Sequence, residues 1–463
     1  MAIATPAWAQ SSSTVNQTGD DNEVTVAQTG ANTSEIDQTG NENLAEVTQN
    51  GSGNTSDIDQ IANSNAAGVD QINSATDNDA AITQDGTSDG AQADILQDGG
   101  ADNNASVTQT NADGTNVGFI QQFGDNNDAS ILQGDTSSEG GSTTSAASTL
   151  AEVVQGGAGG NTASVVQGGG IDAVGQLQSA LIAQTGDDIA LVNQGVFTVG
   201  DTNFAVISQG GGGNDATIFQ ENSDNLATIV QPGASNIAFV DQSFSGASGT
   251  NTATVGQNGD FNFAAVEQNG ATSGREGSGN TANITQDGVN PTFVDRSSAT
   301  VFQGESSNVA TITQQAGGVT NIAEIQQNTD AANSGGGSNA AFITQANLST
   351  ANVFQDSSSN SATINQIGDS NEALADQGNF AGSDSNTIGI EQNGAGNLAA
   401  VEQGFSALAT NNTATITQNA NNNTSFVFQT GDNNSAIVNQ LVTDGNFSQI
   451  TQSGSGNTMT VNQ

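Results

Sequence analysis

The sequence predicts an all-β fold, a two-sheet β-solenoid with amyloid-like stacking, and three observations carry that expectation. First, a short phrase, Asn-x-Ala-x-(Val/Ile)-x-Gln, returns along the chain, with closing glutamines at Gln28, Gln38, Gln49, Gln60 and Gln71. A beat of about eleven residues is too short for a helical hairpin but fits one strand and one tight turn. Second, glycine occurs 58 times and proline, which removes a ladder donor, only 3 times. Third, hydrophobic residues make up 33% and aromatics 4% of the 463 residues, too little for an ordinary globular interior. A thin, repetitive core accommodates such a composition.

The strands come first. Alternate residues of a strand face opposite sides, so the Asn, Ala, Val/Ile and Gln of each phrase share one face. In Asn43 to Gln49, Ala45 and Val47 then point inward while Leu44, Glu46 and Thr48 point outward, and the glutamate marks the wet side. The same register places Asn103 with Gln109, Asn214 with Gln220, and Asn412 with Gln418 on the inner face. Together with Asn22, Gln28, Asn32, Gln38, Asn54, Gln60, Asn434, Gln440, Asn457 and Gln463 they form an expected inward amide ladder.

The turns follow. Segments such as Thr29-Gly30-Ala31 and Thr430-Gly431-Asp432-Asn433 combine a residue tolerant of positive φ with Asn or Asp. Two strands and two turns make a rung, and roughly 36 strands give roughly 18 rungs, on the order of 85 Å at a spacing of about 4.8 Å. Residues 10–463 read as one repeat domain, with loop insertions near 134–148, 269–279, 287–296 and 328–338. Residues 1–9 end in Ala7-Trp8-Ala9 before Gln10, the small-x-small pattern of a signal-peptidase site, and read as the remnant of a secretory signal peptide. No apolar run reaches the length of a membrane span.

Large rings should not fit an interior built for Ala, Val and Ile. Among the 18 phenylalanines, Phe219, Phe239, Phe263, Phe302, Phe354, Phe426, Phe428 and Phe447 fall on outward positions. They read as an outward aromatic stripe, an interface signal, against the blander account of scattered surface rings.

Charge restricts function. The formal net charge is -46, with 48 acids against Arg275 and Arg296 alone. Phosphate contacts need cations, so nucleic acid is not an expected partner. Repulsion between copies should yield to salt. Without His, Cys, Lys or Tyr, only carboxylates could serve as acid-base groups, and pairs such as Asp20-Asp21 or Asp187-Asp188 sit where turn residues are commonplace. No enzyme activity, cofactor or specific metal site is expected. Gly-Asp-x-Asn recurs, as at Gly124 to Asn127 and Gly259 to Asn262, but turn chemistry explains it more simply than a calcium roll. Outward Thr pairs such as Thr415 and Thr417 are too interrupted by Glu46, Asp57, Asp59 and Phe239 for an ice-binding face. Arg275 pairs most simply with neighbouring Glu276.

Stacked amides can donate to one rung and accept from the next. Each step contributes about 1 kcal/mol net, while a buried amide without a partner costs about 1–3 kcal/mol. The last phrase, Asn457, Met459, Val461 and Gln463, is followed by no cap, so head-to-tail fibre growth is expected. The outward acids Glu35, Asp37, Glu46, Asp57 and Asp59 are candidate gatekeepers against premature aggregation.

This phrase, with its Gln-x-Gly-x-x-Asn turns, resembles the curlin repeat of bacterial curli subunits from Ser13 to Gln463. The resemblance implies an extracellular functional amyloid of the biofilm matrix, exported through the periplasm and an outer-membrane secretion pore with accessory secretion factors, and polymerised from a nucleator subunit. Nearly every strand here begins with Asn where curlins alternate Ser and Asn, the chain is longer than a typical curlin, and a secretion-targeting stretch is hardly visible between Gln10 and Ser13. Major subunit and nucleator both stay open, as does the export route. A non-polymerising β-solenoid surface adhesin, with weak divalent-cation or ice-surface binding, is the alternative.

Overall fold

The computed structural model describes residues 10–85, 90–110, 116–134, 148–157, 160–168, 177–195, 202–221, 224–242, 250–268, 279–287, 297–304, 307–315, 320–327, 338–378, 384–404 and 408–463. All regular structure among them is β-strand, arranged as a parallel-strand β-solenoid, the fold class the repeat predicts. The chain divides into two compact units, Met1–Asp224 and Asn225–Gln463. The expected signal remnant at 1–9 lies outside the described residues, as does most of each expected insertion, including both arginines.

In the first unit, from Asp79–Asp85 onward, a strand pairs with the second strand after it, not the next one. Asn104–Thr110 lies between Asp79–Asp85 and Asp128–Gly134, in rows Ala80, Ala105, Ala129 and Ile82, Val107, Ile131 and Gln84, Gln109, Gln133. The intervening strands Gln92–Asp98 and Val117–Phe123 pair with each other on the opposite sheet. Each tight turn therefore carries the chain from one sheet to the other, and one rung holds two strands. The second unit repeats this, with Thr281–Gln286 between Thr252–Gln257 and Val309–Gln314 and with Asn262–Gln268 beside Ser297–Gln303. Insertions do not disturb the register: Gln268 and Gln303 are row neighbours although residues 269–296 separate their strands.

The core is the narrow gap between the sheets. Ala105, Val107, Ala216, Ile218, Ala414 and Ile416 are fully buried, and isoleucine is the largest residue type among the fully buried side chains. A buried Ile or Val contributes roughly 1.5–3 kcal/mol, so a stack of small cores can replace one large one. Every described phenylalanine is partly or fully exposed, as the narrowness of the gap requires.

Some turns stack as closely as the strands. Thr29, Gly30 and Ala31 pair in parallel with Asn50, Gly51 and Ser52, so Glu23–Thr39 and Leu44–Ile61 run through their turns as continuous strands. Gly30 has φ +107°, and a Cβ there would lie 1.6 Å from the carbonyl oxygen of Gly51. Only glycine fits, for reasons of both conformation and space.

Candidate functional site

The inward face of the solenoid is its most ordered chemical feature. In the first unit one glutamine column runs Gln17, Gln38, Gln60, Gln84, Gln109, Gln133, Gln167, Gln194, Gln220, each Nε2 donating to the next Oε1 at 2.8–3.0 Å. The facing column runs Gln28, Gln49, Gln71, Gln97, Gln122, Gln155, Gln184, Gln209 at 2.6–3.0 Å. In the second unit Gln231, Gln257, Gln286, Gln314, Gln345, Gln366, Gln392, Gln418, Gln440 and Gln463 are joined at 2.6–3.1 Å. Opposite them Gln242, Gln268, Gln303, Gln327, Gln355, Gln377, Gln403, Gln429 and Gln452 are joined at 2.7–3.0 Å.

All these amides point the same way along the chain. The second Nε2 hydrogen crosses to the other sheet, as from Gln109 to the Gln92 carbonyl at 2.9 Å and from Gln286 to the Phe263 carbonyl at 3.0 Å. One glutamine thus accepts from the rung before, donates to the rung after and ties the two sheets together. A buried amide can lose none of these without an orphaned partner.

Asparagine makes the expected amide-to-amide bond at some steps, as from Asn43 to Asn22 at 3.2 Å, Asn127 to Asn103 at 3.0 Å and Asn457 to Asn434 at 2.9 Å, and adds contacts that glutamine does not make. Its Oδ1 accepts the backbone N–H of the next Asn in the row, as in Asn54 to Asn32 at 3.2 Å, Asn127 to Asn103 at 2.9 Å and Asn434 to Asn412 at 2.8 Å. At many positions its Nδ2 donates to a turn carbonyl, as from Asn43 to Ala62 at 2.8 Å, Asn214 to Gly210 at 2.6 Å and Asn412 to Gly431 at 2.8 Å, whereas the buried Nδ2 of Asn65, Asn78 and Asn116 has no hydrogen-bond partner among the described residues. Asparagine is short enough to cap the turn it begins after, so its row locks turn to strand. Asp188, which reads from the sequence as a turn acid, stands in this row and is fully buried.

Position along the stack sets exposure. Asn32, Gln38, Asn43, Gln49, Asn54, Gln60, Asn103, Gln109, Asn214, Gln220, Asn412, Gln418, Asn434 and Gln440 are buried. Asn22 and Gln28 are partly exposed, and Asn457 and Gln463 are exposed. These four lie on strands with a row neighbour on one side or close to it: Thr458–Asn462 pairs with Ser435–Gln440 alone among the described residues.

The outer faces carry rings and acids. Phe219 is on Asp215–Gln220 of the first unit, while Phe239, Phe263, Phe302, Phe354, Phe426, Phe428 and Phe447 all lie on one sheet of the second. They fall in three rows of that sheet, Phe239 with Phe426, Phe263 with Phe447, and Phe302 with Phe354 and Phe428. Phe426 stacks on Phe428 at 6.5 Å and meets Phe447 at 6.1 Å. One outer row runs from Asp241 through Glu267, Phe302, Gln326, Phe354, Asp376 and Glu402 to Phe428, so rings and acids share it. Burial, then Asp356 and Glu402, push the Asp376 carboxyl up to about 7; burial, then Glu267, push Asp241 up to about 6.

Acids also stack in the first unit. Glu35 lies over Asp57 and Asp37 over Asp59, and burial followed by these like charges raises both Asp57 and Asp59. The gap left by Gly68 opens a cavity of about 250 Å³ lined by Glu46, Asp70, Asp94, Ile95, Leu96 and Phe119. No group of three acids suited to a metal ion occurs among the described residues. Two of the Gly-Asp-x-Asn aspartates instead cap neighbouring turns: Asp125 accepts the Ala101 N–H at 2.8 Å and Asp260 that of Ala234 at 2.7 Å.

The sequence profile of the curlin associated repeat matches residues 31–61, 40–72, 251–288 and 409–441. These four matches, in both units, support assignment to that repeat family. No curated protein sequence matches the chain. Among the described residues no helix is long and apolar enough to cross a membrane.

Proposed function

We propose that this curlin-repeat protein is a structural subunit of an extracellular, curli-like amyloid fibre of the biofilm matrix, supporting adhesion and cell aggregation through head-to-tail polymerisation. The unidirectional glutamine ladder carries this reading. One face of every rung presents donors where the opposite face of the next presents acceptors, so a second copy can continue the columns that one copy begins. Gln440 to Gln463 is such a step, at 2.8 Å, and the exposed amide of Gln463 offers the same bond again. Structure is then the function, and no catalytic residue is assigned.

On this reading the first partner is another copy of the chain. A nucleator subunit, an outer-membrane secretion pore and accessory secretion factors complete the export route, and the fibre belongs at the cell surface. The inward amides hold the fibre together, and the phenylalanines on one sheet of the second unit form its lateral contact face. The test is incubation of purified, dispersed chain at rising salt, followed by fibre diffraction. Fibres with reflections near 4.7–4.8 Å and about 10 Å are expected. Folded chains that stay monomeric at every salt concentration would leave the adhesin reading in its place.

A further inference from the structure

Asp188 breaks a row that is otherwise asparagine. From Asn103 through Asn127 and Asn161 to Asn214, each side-chain oxygen accepts from the next residue of the row, from its backbone N–H at Asn127, Asp188 and Asn214 and from its Nδ2 at Asn161, and Asp188 stands fourth of the five. Its side chain is fully buried. Oδ1 does what an asparagine oxygen does, accepting from the backbone N–H of Asn214 at 3.0 Å and from its Nδ2 at 3.1 Å. Oδ2 sits where asparagine carries its NH2, and among the described residues it has no hydrogen-bond partner.

A turn of the same length shows what is missing. In Thr29-Gly30-Ala31-Asn32 the asparagine Nδ2 donates to the Thr29 carbonyl at 3.0 Å. In Thr185-Gly186-Asp187-Asp188 the matching acceptor is the Thr185 carbonyl. A carboxylate has only lone pairs to offer there, whereas a carboxylic acid has one O–H.

We propose that Asp188 is carried in the folded unit as the neutral acid, its Oδ2–H standing in for the asparagine N–H, so that closing this rung takes up one proton. Buried carboxylates are disfavoured unless paired, and the described residues include no cation. The charged group beside it is Asp187, whose own Oδ1 is occupied by the Gly160 N–H at 2.7 Å. From the neighbouring rungs Asn161 and Asn214 are neutral, and Asp215, which follows Asn214, faces outward. Burial pushes the Asp188 carboxyl up, the bonds from Asn214 pull it down, Asp187 pushes it up, and the net direction is up. The folded rung is therefore favoured below the ordinary value of 3.8 and loses that advantage as pH rises through the folded-state value.

The experiment uses dispersed full-length chains, so it does not depend on polymerisation. Hydrogen exchange over residues 177–195 and 202–221 is compared between wild type, Asp188→Asn and the control Asp187→Asn at matched pH. Wild type and Asp188→Asn should agree in acid. Above 3.8 the wild-type protection should fall relative to the variant by up to about tenfold per pH unit, then level off. The control keeps Asp188 and should show the same fall, levelling off at a lower pH because Asp187 no longer pushes the Asp188 carboxyl up. The infrared carbonyl band of a buried carboxylic acid should be lost in Asp188→Asn and so appear as a negative band in the Asp188→Asn minus wild-type difference. A protection ratio that stays constant with pH overturns the proposal. So does failure of Asp188→Asn to fold, because asparagine is what the rest of the row holds.

Discussion

Gln286 tests whether the ladder or the packing around it holds a rung. It accepts from Gln257 at 2.8 Å and donates to Gln314 at 2.7 Å, to the Phe263 carbonyl at 3.0 Å and to the Ser297 carbonyl at 3.2 Å. Gln286→Ala orphans one Nε2 hydrogen of Gln257, whose other hydrogen stays on Ile237 at 3.0 Å, and also the Oε1 of Gln314. At about 1–3 kcal/mol per buried orphan the loss is about 2–6 kcal/mol, lessened where water enters the polar gap. Gln286→Leu fills the volume and keeps both orphans, so it should lose nearly as much. Gln463→Ala removes an exposed amide, which water replaces, at a cost below about 1 kcal/mol. Guanidinium midpoints of dispersed chains, at unchanged slope, give all three values. If Leu restores wild-type stability, packing and not hydrogen bonding explains the position, and the ladder argument fails.

Stability should rise as pH falls from about 8 to about 5, because the shifted acids, led by Asp376 at about 7 and Asp241 at about 6, are all raised. Thermal melts check this, and Asp376→Asn should flatten the upper part of the curve. Replacing Asp57 and Asp59 together by Asn removes two stacked like charges and should shorten the assembly lag measured by thioflavin fluorescence; an unchanged lag removes their gatekeeper role. Gly30→Ala should open the first turns, seen as lost amide protection over Glu23–Thr39, while leaving the second unit protected.

Much of the fold was legible because the solenoid is written in one repeated phrase. Ala45, Val47 and Gln49 sit inward, as period-two alternation requires, and Phe428 sits outward because no ring fits the gap. The glutamine columns follow from register alone. Other features depend on geometry that spacing does not specify. That Asn54 offers its backbone N–H, not its amide, to Asn32 reflects the short reach of asparagine beside a turn. That Thr29 to Ala31 pair with Asn50 to Ser52 depends on glycine carbonyls approaching closer than any Cβ allows. Asp188 looked like one of many turn acids, and only the length of its turn, shared with Thr29 to Asn32, could have flagged it.

The two faces of each rung oppose one another in energy. One glutamine step contributes about 1 kcal/mol net. A pair of unit charges at the strand spacing of about 4.8 Å repels by about 1 kcal/mol in water, before salt reduces it. Glu35 over Asp57 and Asp37 over Asp59 therefore nearly cancel the ladder steps inside the same rungs. The apolar core and backbone pairing supply the remaining drive, which is why the chain can fold at all with a net charge of -46. Because the opposing contributions are of equal size, one proton or a modest rise in ionic strength changes the balance at a given rung by as much as one amide does. A solenoid built this way responds to its solution conditions through its outer face while its inner face stays the same.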